Sequence, residues 1–213
     1  DNFYSSTFNF KFCNKKKIFF STKNEIMNIV SNIEILIETE IPYKKYSLKN
    51  IENKYFDEAK KLLPEQNYIG FSITQGNEYR KKSWPLQKFI NIAKKISKNK
   101  KIPVFLIKKD NIELINKIKN EINYALFPEL ETILTGPPLV SALSTRLEKV
   151  VSIDNGIMHM IGLANIPMIV LFGPTNSRKF TPKIDKIDIL DSKLIYNSDD
   201  ISQIKEDDVL SLL

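Results

Sequence analysis

Glycine is absent from the first 69 residues of this 213-residue chain, which holds one cysteine, one histidine, one tryptophan and three arginines. A lone Cys13 excludes an intramolecular disulfide framework and fits a reducing compartment. One histidine and one cysteine leave no set for a Cys/His zinc cage within one chain, so no metal is expected. The apolar runs are short, Ile166–Phe172 among the longest, and a membrane-spanning helix needs about 20 such residues. The opening DNFYSSTFNF has no Met, no basic stretch and no apolar core, so no signal peptide is read there, and truncation of a longer chain is the expectation. Hydrophobic residues at 42% and charged residues at 27% exclude wholesale disorder and fibrous classes.

What is abundant is lysine. The chain carries 32 basic and 25 acidic side chains, a net charge of +7, and the excess sits in the middle third at Arg80–Lys82 and along two lysine-rich helices. Base-edge readout in nucleic acids leans on arginine, and only Arg80, Arg146 and Arg178 are present. A solvated lysine surface is the better reading, and no nucleic-acid partner is expected.

The glycines after residue 69 mark where loops come close to a ligand, so the chemistry is sought there. Upstream, Lys17–Phe20 reads as a strand, Ile26, Ile29, Ile33 and Ile37 line one helical face, and Ile51–Leu63 reads as a second helix. A boundary falls at Pro64–Asn67, giving a partial first lobe over residues 1–67 and a second over 68–213. From Tyr68 the pattern alternates. Strands are read at Tyr68–Ile73, Ile102–Ile107, Tyr124–Phe127 (weak), Val150–Ile153, Pro167–Phe172 and Ile187–Leu190, the last at an edge. Helices are read from Ser83-Trp84-Pro85, with a capping serine and an early proline, from Asp110, over Pro138–Leu147, over Ile157–Ala164 and over Ile201–Leu213. Repeated β-α-β units with almost wholly apolar strands give an α/β fold on a parallel sheet covered on both faces.

In such a sheet ligands bind beyond the carboxyl ends of the strands. Three loops there are rich in polar groups. The first runs from Ser72 and Ile73 through Thr74, Gln75 and Gly76 to Arg80-Lys81-Lys82, ahead of a helix. The second, Asp154-Asn155-Gly156-Ile157-Met158-His159, passes from strand into helix, where free amides favour an anion such as a diphosphate. The third runs from Gly173 through Thr175 to Arg178. Together they can hold phosphates, a base and sugar hydroxyls without a metal or other cofactor.

Three of these segments in register carry a resemblance. Lys82-Ser83-Trp84-Pro85 resembles the K-x-W-P element of glycosyltransferase family 9, the lipopolysaccharide heptosyltransferases. Val151–His159 is similar to that family's V-S-x-D-[TN]-G-x-x-H signature, and Val170–Thr175 to its F-G-P-T element. The resemblance covers Tyr68–Leu213. It implies a GT-B fold: a Rossmann-like donor lobe with a partial second α/β lobe that serves the acceptor. It implies metal-independent, inverting transfer of a sugar from a nucleotide-diphosphate donor, usually ADP-heptose, to lipopolysaccharide core, a lipid-linked saccharide. By position, Lys82 neutralises the donor phosphates, Asp154 accepts hydrogen bonds from sugar hydroxyls, and the Asn155 and Gly156 amides face the diphosphate. His159 falls at the family's donor-site histidine and Glu113 at its ribose-binding acid, although the preceding family glycine is replaced by the Lys108-Lys109 region. Gly136-Pro137-Pro138 falls where the base is contacted. Thr74, Gln75, Gly173 and Thr175 complete the expected set. The family's general base belongs to a glycine-containing loop near the N-terminus. Residues 1–67 hold no glycine, so no catalytic base is assigned here, and this fragment is expected to bind donor without transferring sugar. The resemblance also implies a cytoplasmic protein, with at most a peripheral contact at the inner membrane.

Each residue has a plainer role to weigh. Asp154 can be only a turn residue, His159 a core histidine and Lys82 one surface lysine among many. Trp84 is read as a packing anchor for the helix start, Met158 and Met160 as core, Cys13 as inert. The rival functions are a GT-B transferase or epimerase for another nucleotide sugar, and a non-catalytic nucleotide- or nucleic-acid-binding module.

Overall fold

The computed structural model describes the backbone of Phe3–Ser5 (β1), Phe10–Cys13 (β2) and Lys16–Phe19 (β3), and residues 48–213 apart from Asn77. The helix read through Ile26–Ile37 lies outside the described residues. The chain divides into two compact units, one of Asp1–Lys44 with Asn176–Thr181, the other of Lys45–Thr175 with Pro182–Leu213. In the first unit β1, β2 and β3 pair antiparallel in chain order, Phe3 opposite Phe12 and Phe10 opposite Phe19. Also in that unit, Ser177–Phe180 forms one helical turn whose Lys179 amide donates to the Asn176 side chain.

The larger unit is built on a five-stranded parallel sheet: Tyr68–Ser72 (β4), Ile102–Phe105 (β5), Lys149–Ile153 (β6), Met168–Phe172 (β7) and Ile187–Asp191 (β8). Their order is β5-β4-β6-β7-β8, and Leu126 adds a parallel bridge to Val104 outside β5. With that bridge counted as a minimal strand, the order is that of a doubly wound dinucleotide-type sheet, whose connections reverse direction between β4 and β6. All five residues of β4 and of β7 are buried, as a sheet covered on both faces requires. The expected α/β parallel sheet is therefore the observed one.

The Leu86–Lys98 helix buries Phe89, Ile90, Ile92, Ala93 and Ile96. Beneath them Phe71 stacks on Phe105 at 5.0 Å, and Phe105 on Phe127 at 5.6 Å. Each such side chain contributes about 1.5–3 kcal/mol by leaving water. The Asn53–Leu62 helix packs on the Pro137–Ser144 helix. The Arg146 guanidinium then ties down its exit, donating to the carbonyls of Leu63, Pro64 and Glu65, each at 3.0 Å.

Two local expectations are corrected. The helix after β4 begins at Leu86 with Pro85 at its cap and no side-chain capping bond, so Ser83 does not cap it. The reason is Trp84, which turns inward (2% exposed) just ahead of Pro85, whose backbone at φ −55° and ψ 127° is not helical. The C-terminal stretch read as one helix from Ile201 to Leu213 is two pieces, a 3-10 turn at Ile201–Gln203 and a helix at Glu206–Leu210. The Ile204 carbonyl between them is taken by Trp84 Nε1 and Lys88 Nζ, and Asp208 accepts from the Lys205 amide to start the second piece afresh.

Candidate functional site

Strands β4 and β6 lie side by side in the sheet, Phe71 in register with Val151 and Ser72 with Ser152. Their carboxyl ends open at the point where the connections reverse, the place where such sheets form a ligand crevice. The loops that leave these two ends are tied together by Asn155. Its Nδ2 donates to Ser72 Oγ and to the Thr74 carbonyl, each at 2.9 Å, while its Oδ1 accepts from the Met158 amide at 2.8 Å. Asn155 thus caps the Gly156–Gly162 helix and fixes the neighbouring loop with one side chain.

Asp154, one residue earlier, is buried to 5% exposure. Its Oδ2 accepts from Lys82 Nζ at 2.5 Å and from Thr175 Oγ1 at 2.6 Å. Oδ1 accepts no hydrogen bond from a described residue. Burying a carboxylate is costly without such partners, and here they come from the other two loops read as functional. The Lys82 amide in turn donates to Gln75 Oε1 at 2.9 Å, which pins the turn bearing the lysine. The structure therefore brings together Thr74, Gln75, Lys82, Asp154, Asn155 and Thr175.

The remaining candidates fall in different places. Gly156 opens its helix on the exposed side, and a Cβ added there meets nothing within 4 Å. Neither positive φ nor packing within the described residues demands a glycine at that position. His159 keeps one face in water, yet burial pushes its pKa below 6.5. Asp154 opposes that shift and Lys82 adds to it. Both neighbours belong to the cluster just described, so the imidazole stands within electrostatic reach of it and is neutral at pH 7. Gly173 is buried against other backbone, where an added Cβ would lie 2.7 Å from Ile201 Cβ and 2.9 Å from the Ile201 amide nitrogen. Glu113 points outward, pairing with Lys117 at 2.7 Å on its own helix. Gly136 takes φ +87° ahead of Pro137, the left-handed region that favours glycine.

Next to the cluster lies a cavity of about 380 Å³ lined by Thr74, Gln75, Trp84, Phe89, Asn111 and Leu114, among others. Asn111 and Leu114, not Glu113, face it. The signal for them lies in helical spacing: Asn111 and Leu114 are three residues apart on one face, and Glu113 is on another. A larger cavity of about 1140 Å³ involves Tyr68, Lys94, Ile102 and Tyr124. It opens at the amino ends of β4 and β5, away from the crevice and its polar cluster. Glu129, also absent from the expected set, is buried to 5% without a hydrogen-bond partner among the described residues. Burial pushes its pKa above 4.5. Lys108 and Lys109 work against the shift and Asp110 with it. No group of three or more His, Cys, Asp or Glu suited to a metal occurs among the described residues. No helix there is long and apolar enough to cross a membrane.

Chemically, the cluster has the groups that an anion and a polyol could bind. It offers a lysine ammonium, a free carboxylate oxygen, and the Gly156 and Ile157 amides, which no described acceptor occupies. The chain is similar to known proteins. Residues 21–207 match the family model for Glycosyltransferase family 9 (heptosyltransferase). Lipooligosaccharide heptosyltransferase 2 of Haemophilus influenzae is 30% identical over 145 residues, which are 64% of this chain and 40% of that protein. The crystal structure of a glycosyl transferase family 9 protein from Veillonella parvula superposes with a TM-score of 0.72 at 17% identity, covering 88% of this chain and 59% of the other. The E. coli heptosyltransferase WaaC with ADP gives a TM-score of 0.64 at 13% identity, covering 88% and 56%. The chain thus spans about 40–59% of the length of these relatives.

Proposed function

Because the chain belongs to glycosyltransferase family 9, we propose that its larger unit binds the nucleotide-diphosphate sugar donor, ADP-heptose, for transfer to a lipopolysaccharide-core acceptor. The observation that carries this reading is the convergence of Lys82 and Thr175 on Asp154 at the mouth of the β4–β6 crevice. Lys82 opposes the negative charge that grows on the diphosphate as it leaves, with the Gly156 and Ile157 amides beside it. Asp154 Oδ1 takes a hydrogen bond from a sugar hydroxyl. Its Oδ2, bound by two donors, keeps the carboxylate oriented, so it serves as an acceptor and not as a base. The open space over Gly156 is where the diphosphate reaches the backbone closely. The nucleoside runs toward the cavity between Thr74 and Asn111. Catalysis on this side of the reaction is positioning and charge stabilisation. No general base is assigned among residues 68–213, and the inverting course of transfer rests on the family resemblance.

A thermal-shift panel of ADP, GDP, UDP and their sugar conjugates tests the reading. ADP and ADP-heptose are expected to raise the melting temperature. A shift with UDP or GDP and none with ADP would refute the donor assignment.

A further inference from the structure

One short segment near the C-terminus touches both loops that grip Asp154. On one side Gly173, two residues before Thr175, packs its Cα directly on the Asp199–Ile201 backbone. An added Cβ there would lie 2.9 Å from the Ile201 amide nitrogen and 3.0 Å from the Asp199 carbonyl oxygen. On the other side Trp84, two residues after Lys82, donates from Nε1 to the Ile204 carbonyl at 3.0 Å. Lys88 strengthens that side. Its Nζ donates to the Ser202 and Ile204 carbonyls at 2.6 and 2.7 Å and lies over the Trp84 ring, 5.4 Å from its centroid. Further along, Asn91 Nδ2 donates to Glu206 Oε1 at 2.8 Å. Ile201 and Ile204 are buried, so the segment cannot slide without opening the core.

We propose that residues 199–204 are a positioning brace that sets the spacing of Lys82 and Thr175 about Asp154, with Trp84 and Lys88 as the positioning residues on the lysine side. The brace reaches Lys82 through the two-residue arm Ser83-Trp84, which belongs to no helix or strand and is held at its far end by the Trp84 anchor. Without the anchor the arm can relax and the ammonium leaves Asp154. The use of this spacing, to receive a diphosphate, rests on the donor reading above; the spacing itself does not.

Lysine labelling of the full chain at single-hit dose, read by peptide mass spectrometry, tests the brace without any ligand. Trp84→Phe keeps the ring packing and removes the Nε1 donor. It is expected to raise labelling of Lys82 about threefold or more, with Lys94 and Lys117 as internal references that stay unchanged. Lys88→Met should act in the same direction, and Lys88→Arg, which can still donate to both carbonyls, should restore protection. An unchanged Lys82, or an equal rise at all three lysines, would overturn the proposal. ADP titration adds a second reading for a chain that binds it. Trp84→Phe should weaken ADP about fivefold in the wild-type background and much less in a Lys82→Ala background, since neighbours acting through one group are non-additive. Equal losses in both backgrounds would refute the brace. Absence of ADP binding by the wild type would refute the donor reading alone and leave the labelling result to decide the brace.

Discussion

Lys82 and Asp154 sit at 11% and 6% side-chain exposure, and this burial changes what a substitution there does. Were Lys82 one of the many solvated lysines, Lys82→Ala would leave folding untouched. Held at 2.5 Å from a buried carboxylate, it is expected to cost about 1–3 kcal/mol of stability through the stranded charge, and a similar amount of ADP affinity. Lys94→Ala, removing an exposed pair with Glu121, should cost less than about 1 kcal/mol in chemical denaturation and nothing in calorimetric ADP binding. Glu129 has the opposite sign. Its pKa rises from the ordinary 4.5 on folding, so the folded state binds the proton more tightly, and the site destabilises increasingly as pH climbs from 4.5 through the folded value. Glu129→Gln should therefore be more stable than the wild type at pH 7, and the difference should vanish below pH 4.5 in denaturant melts. A constant difference across that range would rule out the charge as its cause.

At the scale of elements, two glycines make opposite predictions. Gly173→Ala forces a methyl to 2.7 Å from Ile201 Cβ and 2.9–3.0 Å from backbone atoms and should cost about 1–3 kcal/mol in thermal denaturation. Gly156→Ala adds a methyl to open space in a first helical turn. It should leave stability unchanged or raise it by up to about 1 kcal/mol, while weakening ADP because the methyl occupies ligand space. Equal stability losses at both positions would remove the argument from open space. Elements whose signal is local were readable in advance. The apolar runs of β4 and β7 and the i, i+3, i+4 stripe of Phe89, Ile90 and Ala93 state their own burial. What could not be read depends on distant partners. The C-terminal stretch keeps helical spacing, yet it breaks because Trp84 and Lys88, more than 110 positions away, take the Ile204 carbonyl. The same distinction holds in the site. The Asp154-Asn155-Gly156 turn announces itself by composition and the outward turn of Glu113 by the spacing of its own helix, whereas the burial of Glu129 follows from packing that no short window contains.

For the whole molecule, the central claim is that a nucleotide diphosphate lies between Lys82 and the Gly156 turn. The composition supplies its own reporter, because His159 is the only histidine in 213 residues. Without ligand, its imidazole should titrate below 6.5, since burial favours the neutral ring. That depression also means stability is fully present above 6.5 and declines as pH falls from there toward the folded value, a slope that His159→Gln should abolish. The most direct measurement is the proton NMR titration of the His159 ring with and without saturating ADP. A diphosphate beside the Gly156 turn places negative charge near the ring, so ADP is expected to move its resonances and raise its pKa. A ring that keeps the same resonances and the same pKa while calorimetry shows ADP bound would place the nucleotide elsewhere and contradict the account.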